Sequence, residues 1–379
     1  MIKFGVRPNL LYPMMLTSFT FMRNLLFIIM RKLLDFNGSV ILTLIMFLSE
    51  FISGLILYKN QTRISKNKEV TLMGISIKPN SSDKSNSYDI NLYILLFSIS
   101  LFDFMEFITA NYYFPKFHYE SNTLVLRLKN LATLFSSFFY KYLLKLKIMK
   151  HQKVSLIIIF LCLLIIIISE YFYSVVINDY NLNSFREIII LMLVNYLLFS
   201  LIDINEKFLL EKTYINPFQM LMIEGIFGII LTSFFSFIVK NPFDELKDFY
   251  NDNKDNNKNI YFILCLFICF FLNGGKNVYR VSTNKLYTPM TIMLTESIMD
   301  PLLIIFYHFC ENDLSNILCF IINLIISFIM VFFGFVFNDF LILYCCNLEH
   351  ETYQEISRRA SKKENERLLS EIEVSLDDE

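Results

Sequence analysis

The stretch Asp203–Gly228, DINEKFLLEKTYINPFQMLMIEGIFG, decides how the rest of the chain is read. It sets Asp203, Glu206 and Lys207 at the end of one apolar run, turns through a short polar link, and places Glu224 inside the next run. At 3.6 residues per turn, positions i, i+3 and i+4 share a helix face, so these three charges are expected to neutralise one another. Asn216 followed by Pro217 has the form of an N-cap and a first helical residue. A helix that starts there carries Glu224 about 10 Å along its axis, at roughly 1.5 Å per residue. A carboxylate deep in lipid costs about 2.5–3.5 kcal/mol even on a lenient scale, so Glu224 is expected to face protein or water.

Apolar runs of the same kind fill most of the 379 residues. Hydrophobic residues make up 55% and charged residues 18%, with 41 Phe and no Trp. That composition leaves too little polar surface for a soluble domain and specifies an integral membrane protein, whose main partner is the lipid bilayer. The heavy use of Phe, Ile, Asn, Lys and Tyr suggests an AT-rich coding genome, in which Phe stands where Leu would serve. A net charge of −1 is uninformative here, because the placement of charge matters and its sum does not.

A window of about 20 residues, enough to cross a core of about 30 Å, gives ten expected spans. They cover approximately residues 11–30, 39–58, 92–113, 121–140, 154–175, 187–206, 217–239, 260–279, 286–308 and 316–337. With the N-terminus in the cytosol, 22 Lys and Arg fall on the cytosolic side, 8 on the other side and 4 inside spans. That bias predicts cytosolic termini and an even number of crossings. The sequons at Asn60 and Asn80 then lie in the cytosol and stay bare. No cleavable leader is evident, and the first span is expected to act as its own uncleaved signal. The expected fold class is an all-α multi-pass membrane protein with ten transmembrane helices as two inverted five-helix repeats. The repeats are placed at 1–180 and 181–340, followed by a cytosolic tail at 341–379.

Ionisable residues recur at matching places in the two halves. Glu50 stands in the second span and Glu224 in the seventh, Asp103 and Glu106 in the third against Asn273 and Lys276 in the eighth. Arg127 and Asn130 in the fourth match Glu296 and Asp300 in the ninth. With Glu170, Asp203 and Glu206, the acids in or at the edge of spans number nine, against the four bases Arg23, Arg127, Lys129 and Lys276. Such residues mark either a water-filled, acid-rich cavity suited to a cationic or zwitterionic solute, with proton coupling, or simple helix-to-helix bridges such as Asp203 to Lys207. Pro289, Pro301 and Gly274–Gly275 either break their helices beside the cavity or are ordinary adjustments.

The same pieces resemble the F-type branch of the solute carrier 35 family, within the drug/metabolite transporter superfamily. The likeness rests on Glu206-Lys207-Phe208 with Asn216-Pro217 and Glu224-Gly225-Ile226-Phe227-Gly228. It continues in Phe47-Leu48-Ser49-Glu50-Phe51, Leu126-Arg127-Leu128, and Phe337-Asn338-Asp339 followed by Ile342-Leu343. Leu128 replaces the glycine expected after Arg127, and the first span carries an unexpected Arg23. The resemblance implies an EamA-like secondary carrier of a small-molecule solute by alternating access, in an endolysosomal, vacuolar or other endomembrane location. A nucleotide-sugar transporter of the Golgi or ER is the alternative, and a non-transporting membrane scaffold remains open. A nucleotide sugar calls for Lys and Arg along the cavity, and few stand deep in the spans.

No enzymatic motif is present. His118, His151, His308 and His350 lie far apart, and there is no His-Glu-x-x-His, Gly-x-Ser-x-Gly or phosphate-cradling loop. The seven cysteines lie mostly in apolar runs and are read as fillers, so no cofactor, metal or disulfide framework is expected. In the tail, Glu364 with Leu368 and Leu369 fits an acidic dileucine signal for sorting adaptors, and Arg358-Arg359-Ala360-Ser361 fits a basic-directed phosphorylation site at Ser361. No nucleic-acid partner is expected, and a homodimer is left open.

Overall fold

The computed structural model describes residues 2–4, 11–34, 36, 40–64, 70–72, 75–77, 90–110, 128–143, 145, 148–177, 181–212, 215–238, 242–252, 256–311, 317–343, 352, 355 and 358–359. Among them the helices are α1 (Leu11–Leu33), α2 (Val40–Ile64), α3 (Ile90–Ile108), α4 (Leu131–Tyr142), α5 (Lys150–Tyr171) and α6 (Leu182–Lys212). They continue as α7 (Pro217–Ile238), α8 (Pro242–Asp252), α9 (Asn256–Leu286), α10 (Pro289–Ser297), α11 (Asp300–Glu311) and α12 (Ile317–Phe337). A π-helical turn, Phe172–Ile177, extends α5.

Among the described residues, eight stretches are long and apolar enough to cross a membrane: Leu11–Met30, Val40–Gln61, Lys150–Tyr171, Leu182–Glu211, Pro217–Ile238, Lys258–Leu286, Pro289–Phe306 and Phe320–Phe337. The protein is therefore a helical multi-pass membrane protein. The expected third and fourth spans correspond to α3, of 19 residues, and to α4, of only 12.

Polarity is distributed as lipid requires. Large apolar side chains such as Ile157, Phe234, Phe237, Ile263 and Phe267 are exposed, whereas Glu50, Asp203, Glu206, Glu224, Asn273 and Lys276 are buried. An apolar solvent reverses the sorting seen in water, because each backbone and side-chain dipole must find a partner inside the protein. Hydroxyl residues within the helices meet this demand locally: Thr17 donates to Pro13 O at 2.9 Å, Ser100 to Leu96 O at 3.0 Å and Thr232 to Gly228 O at 2.8 Å.

Helix α7 starts as its sequence dictates, with the Phe218 amide donating to Asn216 Oδ1 at 3.0 Å and Pro217 as its first residue. It packs most extensively on α2. Two glycines allow this approach: a Cβ on Gly54 would stand 2.7 Å from Met222 N, and one on Gly225 would stand 2.5 Å from Phe51 N. As the α2 position rises from 51 to 54, its α7 neighbour falls from 225 to 222, so the two helices run antiparallel. Around this pair α9 packs on α1, α2, α6 and α7, α3 on α6 and α7, α4 on α6 and α10, and α5 on α12.

Strands flank the helices at both ends of the described bundle. Strand β1 (Ile2–Phe4) pairs antiparallel with β4 (Leu341–Leu343), opposing Ile2 to Leu343, while β2 (Val70–Leu72) and β3 (Ile75–Ile77) form a separate hairpin. A strand ahead of α1 that pairs with one after α12 puts both on one side, as an even number of crossings demands.

Two expectations about breaks are resolved in opposite ways. α9 runs unbroken through Gly274–Gly275, where a Cβ on Gly275 would lie 2.4 Å from the Phe19 ring. Gly275 admits α1, and neither glycine interrupts the helix. The ninth expected span does break, at Ile298–Met299 between α10 and α11. Pro301 has no N–H for the Ser297 carbonyl and its ring would strike that carbonyl in a continuous helix.

Candidate functional site

α9 supplies the spine of the polar centre. Asn273, Lys276, Asn277, Arg280 and Asn284 recur every three or four residues, and all five are buried. They form one face, and each meets a different part of the surrounding helices.

Towards the C-terminal end of α9, Arg280 spans to α6. Its Nη2 donates to Glu206 Oε1 at 2.6 Å and its Nη1 lies 3.4 Å from Asp203 Oδ1. Asn284 Nδ2 supports the same pair, donating to Glu206 Oε2 at 3.2 Å and to the Asp203 carbonyl at 2.9 Å. The expected neutralisation of Asp203 and Glu206 by Lys207 does not occur. Lys207 Nζ donates instead to the carbonyls of Asn284 at 2.8 Å and Tyr287 at 2.7 Å, and pairs with Glu211 at 3.2 Å. The orphan carbonyls at the end of α9 draw a cation more strongly than two carboxylates already held by a guanidinium.

At the middle of α9, Asn277 Nδ2 donates to Glu50 Oε1 on α2. Glu224, on α7 across the α2 crossing, lies within electrostatic reach of Glu206, Arg280, Asp103 and Glu50. Its Oε1, with Glu50 Oε2 and Asp203 Oδ2, is buried without a hydrogen-bond partner.

One residue earlier, Lys276 Nζ stands 2.9 Å from Glu296 Oε1 at the end of α10. Lys129, in the turn before α4, lies 3.5 Å from Glu296 Oε2 and donates to the Glu296 carbonyl at 2.8 Å. That carbonyl is one of the groups freed where α10 stops, so Lys129 caps the break while it pairs the acid. Asp300, on the far side of the break, is buried and neither carboxylate oxygen has a partner. Asn273 closes the line: it accepts from Arg23 Nη1 at 3.2 Å and donates to Ser49 Oγ at 2.8 Å.

Bonds and ion pairs thus tie Glu50 to Asn277, Asp203 and Glu206 to Arg280, Glu296 to Lys276 and Lys129, and Asn273 to Arg23 and Ser49, while Asp103, Glu224 and Asp300 lie within electrostatic reach of these groups. Asp103 is buried, and Glu106, one turn on, is half-buried beside it on α3. Asn130 is buried in the turn ahead of α4. Glu170 is separate: it accepts from Asn323 Nδ2 at 3.1 Å in the α5–α12 contact. Arg127, Ser361, Glu364, Leu368 and Leu369 lie outside the described residues.

Arg280 and Asn277 are the residues that the sequence reading missed. The eighth span was ended at 279 by hydropathy, which sent Arg280 to a loop, whereas α9 runs to Leu286. The polar repeat from Asn273 to Asn284 carries the signal, since a helix must continue for these residues to share a face. Cys162, Cys265 and Cys269 are free thiols. No family model matches the chain, and no curated protein matches it.

Proposed function

We propose that this protein is a secondary carrier that moves a small polar solute by alternating access, with the solute at the α2–α7–α9 centre. The observation that carries the reading is the unequal charge of that centre. Eight acids, Glu50, Asp103, Glu106, Asp203, Glu206, Glu224, Glu296 and Asp300, are gathered with four bases, Arg23, Lys129, Lys276 and Arg280, among the described residues. Bridges built only for packing come in matched sets, because an uncompensated buried charge costs several kcal/mol. An excess of four negative charges calls for protons, a cationic or zwitterionic solute, or both.

The helix contacts support two inverted five-helix repeats. If α1, α2, α3, α4 and α5 exchange with α6, α7, α9, α10–α11 and α12, the α1–α9 contact becomes α6–α3, and α2–α9 becomes α7–α3. By the same exchange α4–α6 becomes α10–α1, while α2–α7 and α5–α12 map on themselves. Each of these contacts is present. The broken α10–α11 helix fits a site at membrane depth, where irregular backbone is tolerated only beside protein or water. The resemblance to the F-type branch of the solute carrier 35 family agrees with this reading and favours an endomembrane location. A nucleotide sugar fits less well, because the acids outnumber the bases.

Purified protein in proteoliposomes, offered a mixed pool of amines, amino acids, nucleotides and sugars, tests the proposal. Saturable accumulation of a polar solute, lost in Glu224→Gln, is expected. Equal solute content in loaded and protein-free vesicles would leave a scaffold as the better reading.

A further inference from the structure

On the reading of the protein as a carrier, we infer that the turn leaving α12, Asn338–Asp339, is a sprung clasp. It holds α10 and α5 together on the side of the terminal strands and releases them when the proposed repeats rock. The turn closes α12 in the manner usual for a glycine. Phe340 N donates to Phe335 O at 2.9 Å and Asp339 N to Val336 O at 3.2 Å, with the Phe335 and Phe340 rings 6.1 Å apart. That pattern requires a left-handed residue just ahead of Phe340, and Asp339 has φ 60°. A Cβ makes this conformation costly, so something other than the turn itself holds an aspartate there.

The two side chains of the turn reach to different helices. Asn338 grips the first turn of α10: it accepts from Thr291 Oγ1 at 2.9 Å and donates to Met290 O at 3.4 Å. Asp339 meets the first turn of α5, where its Oδ1 lies 2.8 Å from His151 Nε2, and Gln152 Nε2 donates to Phe337 O at 3.4 Å. Thr291, Asn338, Asp339 and His151 are all buried. The His151 and Asp339 atoms are close but not aligned as a hydrogen bond, so this contact yields more readily than one.

Position gives the clasp its consequence. α5 closes the first proposed repeat, whereas α10 and α12 belong to the second, so the turn straddles the boundary across which the halves move. β1 and β4 pair across the same boundary directly after it. Thr291 precedes Glu296 by five residues on the short α10, a distance of about 7.5 Å. Glu296 is held at 2.9 Å by Lys276 and at 3.5 Å by Lys129. Any displacement of Glu296 is therefore delivered along one short helix to Asn338, and release at Asn338 frees the helix that carries Glu296. Left-handed residues other than glycine persist where their surroundings over-determine them, and they recur in switch regions.

Thiol reactivity of the full-length protein in sealed vesicles tests the clasp without reading transport. With the seven native cysteines replaced, a single cysteine at position 291 reports release. A small membrane-impermeant thiol reagent is expected to modify it about tenfold faster in His151→Gln and in Asp339→Asn than in the parent, in step with the open population. Asn suits the left-handed turn and removes only the charge. Protein that keeps only Cys162, buried on α5, is expected to react at an unchanged rate in both variants. Equal rates at position 291 in the parent and the variants would overturn the inference, as would equal acceleration at Cys162. Should both variants fail to fold, Asp339→Gly decides, because it fits the turn and loses the His151 contact. Faster modification is expected; a turn that serves only to end α12 would leave position 291 as slow as before. Joining cysteines at positions 291 and 338 with a short reducible cross-linker is expected to cut solute accumulation about tenfold, and reductant to restore it. Full accumulation by cross-linked protein would overturn the release. Accumulation by no form, wild type included, would refute the carrier reading, and the thiol rates alone then decide the clasp.

Discussion

Arg280 and Glu206, 74 residues apart in the chain, meet at 2.6 Å in the contact between α9 and α6. Both helices belong to the second proposed repeat, so the bond lies within it. Removing one partner of a buried pair is costly because the other charge is stranded. Arg280→Met is expected to lower stability in detergent by about 3–5 kcal/mol. Combining it with Asp203→Leu and Glu206→Leu is expected to recover most of that loss, as followed by thermal unfolding.

The α2–α7 crossing tolerates no side chain at Gly225, where a Cβ would stand 2.5 Å from the Phe51 backbone. Gly225→Ala is expected to cost about 1–3 kcal/mol through forced separation of the helices. Gly274 offers the control, since a Cβ there meets its nearest neighbour at an ordinary 3.5 Å. Gly274→Ala is expected to leave the thermal midpoint unchanged or raise it by helix stiffening.

Lys207 serves the end of α9 and does not serve Asp203. Lys207→Met is expected to fray the Asn284–Tyr287 segment and cost about 1–2 kcal/mol, because charge-assisted bonds to orphan carbonyls are lost. Hydrogen exchange at the last turn of α9 should quicken, while exchange in α2 stays as it is. A uniform loss of protection across α2 and α9 would contradict the assignment.

Glu224→Gln keeps the shape of the side chain and removes its charge. Full retention of membrane insertion together with loss of solute accumulation is the expected outcome, checked by carbonate extraction and by flux in the same vesicles.

Much of the architecture was legible in the chain. The hydropathy windows place both ends of α1, α7 and α12 within three residues and those of α5 within four, but fall five or six residues short at ends of α2 and α6, and Asn216–Pro217 marks the start of α7. The windows fall short at the polar centre. A polar face lowers mean hydropathy, so the last two turns of α9, with Arg280 and Asn284, were read as loop. The i, i+3 and i+4 rule put Asp203 and Lys207 on one face correctly, but a shared face does not choose a partner. Only the approach of α9 to α6 decides that Arg280 takes the acids and Lys207 the carbonyls. Glu170 shows the limit from the other side: it counts among the span acids in the sequence, yet it belongs to the α5–α12 contact.

On the carrier reading, water reaches the acids at the α2–α7–α9 centre, which are then more than helix bridges. A single cysteine at position 224, with the seven native cysteines replaced, tests it through a small membrane-impermeant thiol reagent added to either side of sealed vesicles. Modification from both sides, slowed by a solute that binds, is the predicted result. A thiol that stays unreactive from both sides, while the protein remains folded, would contradict the account.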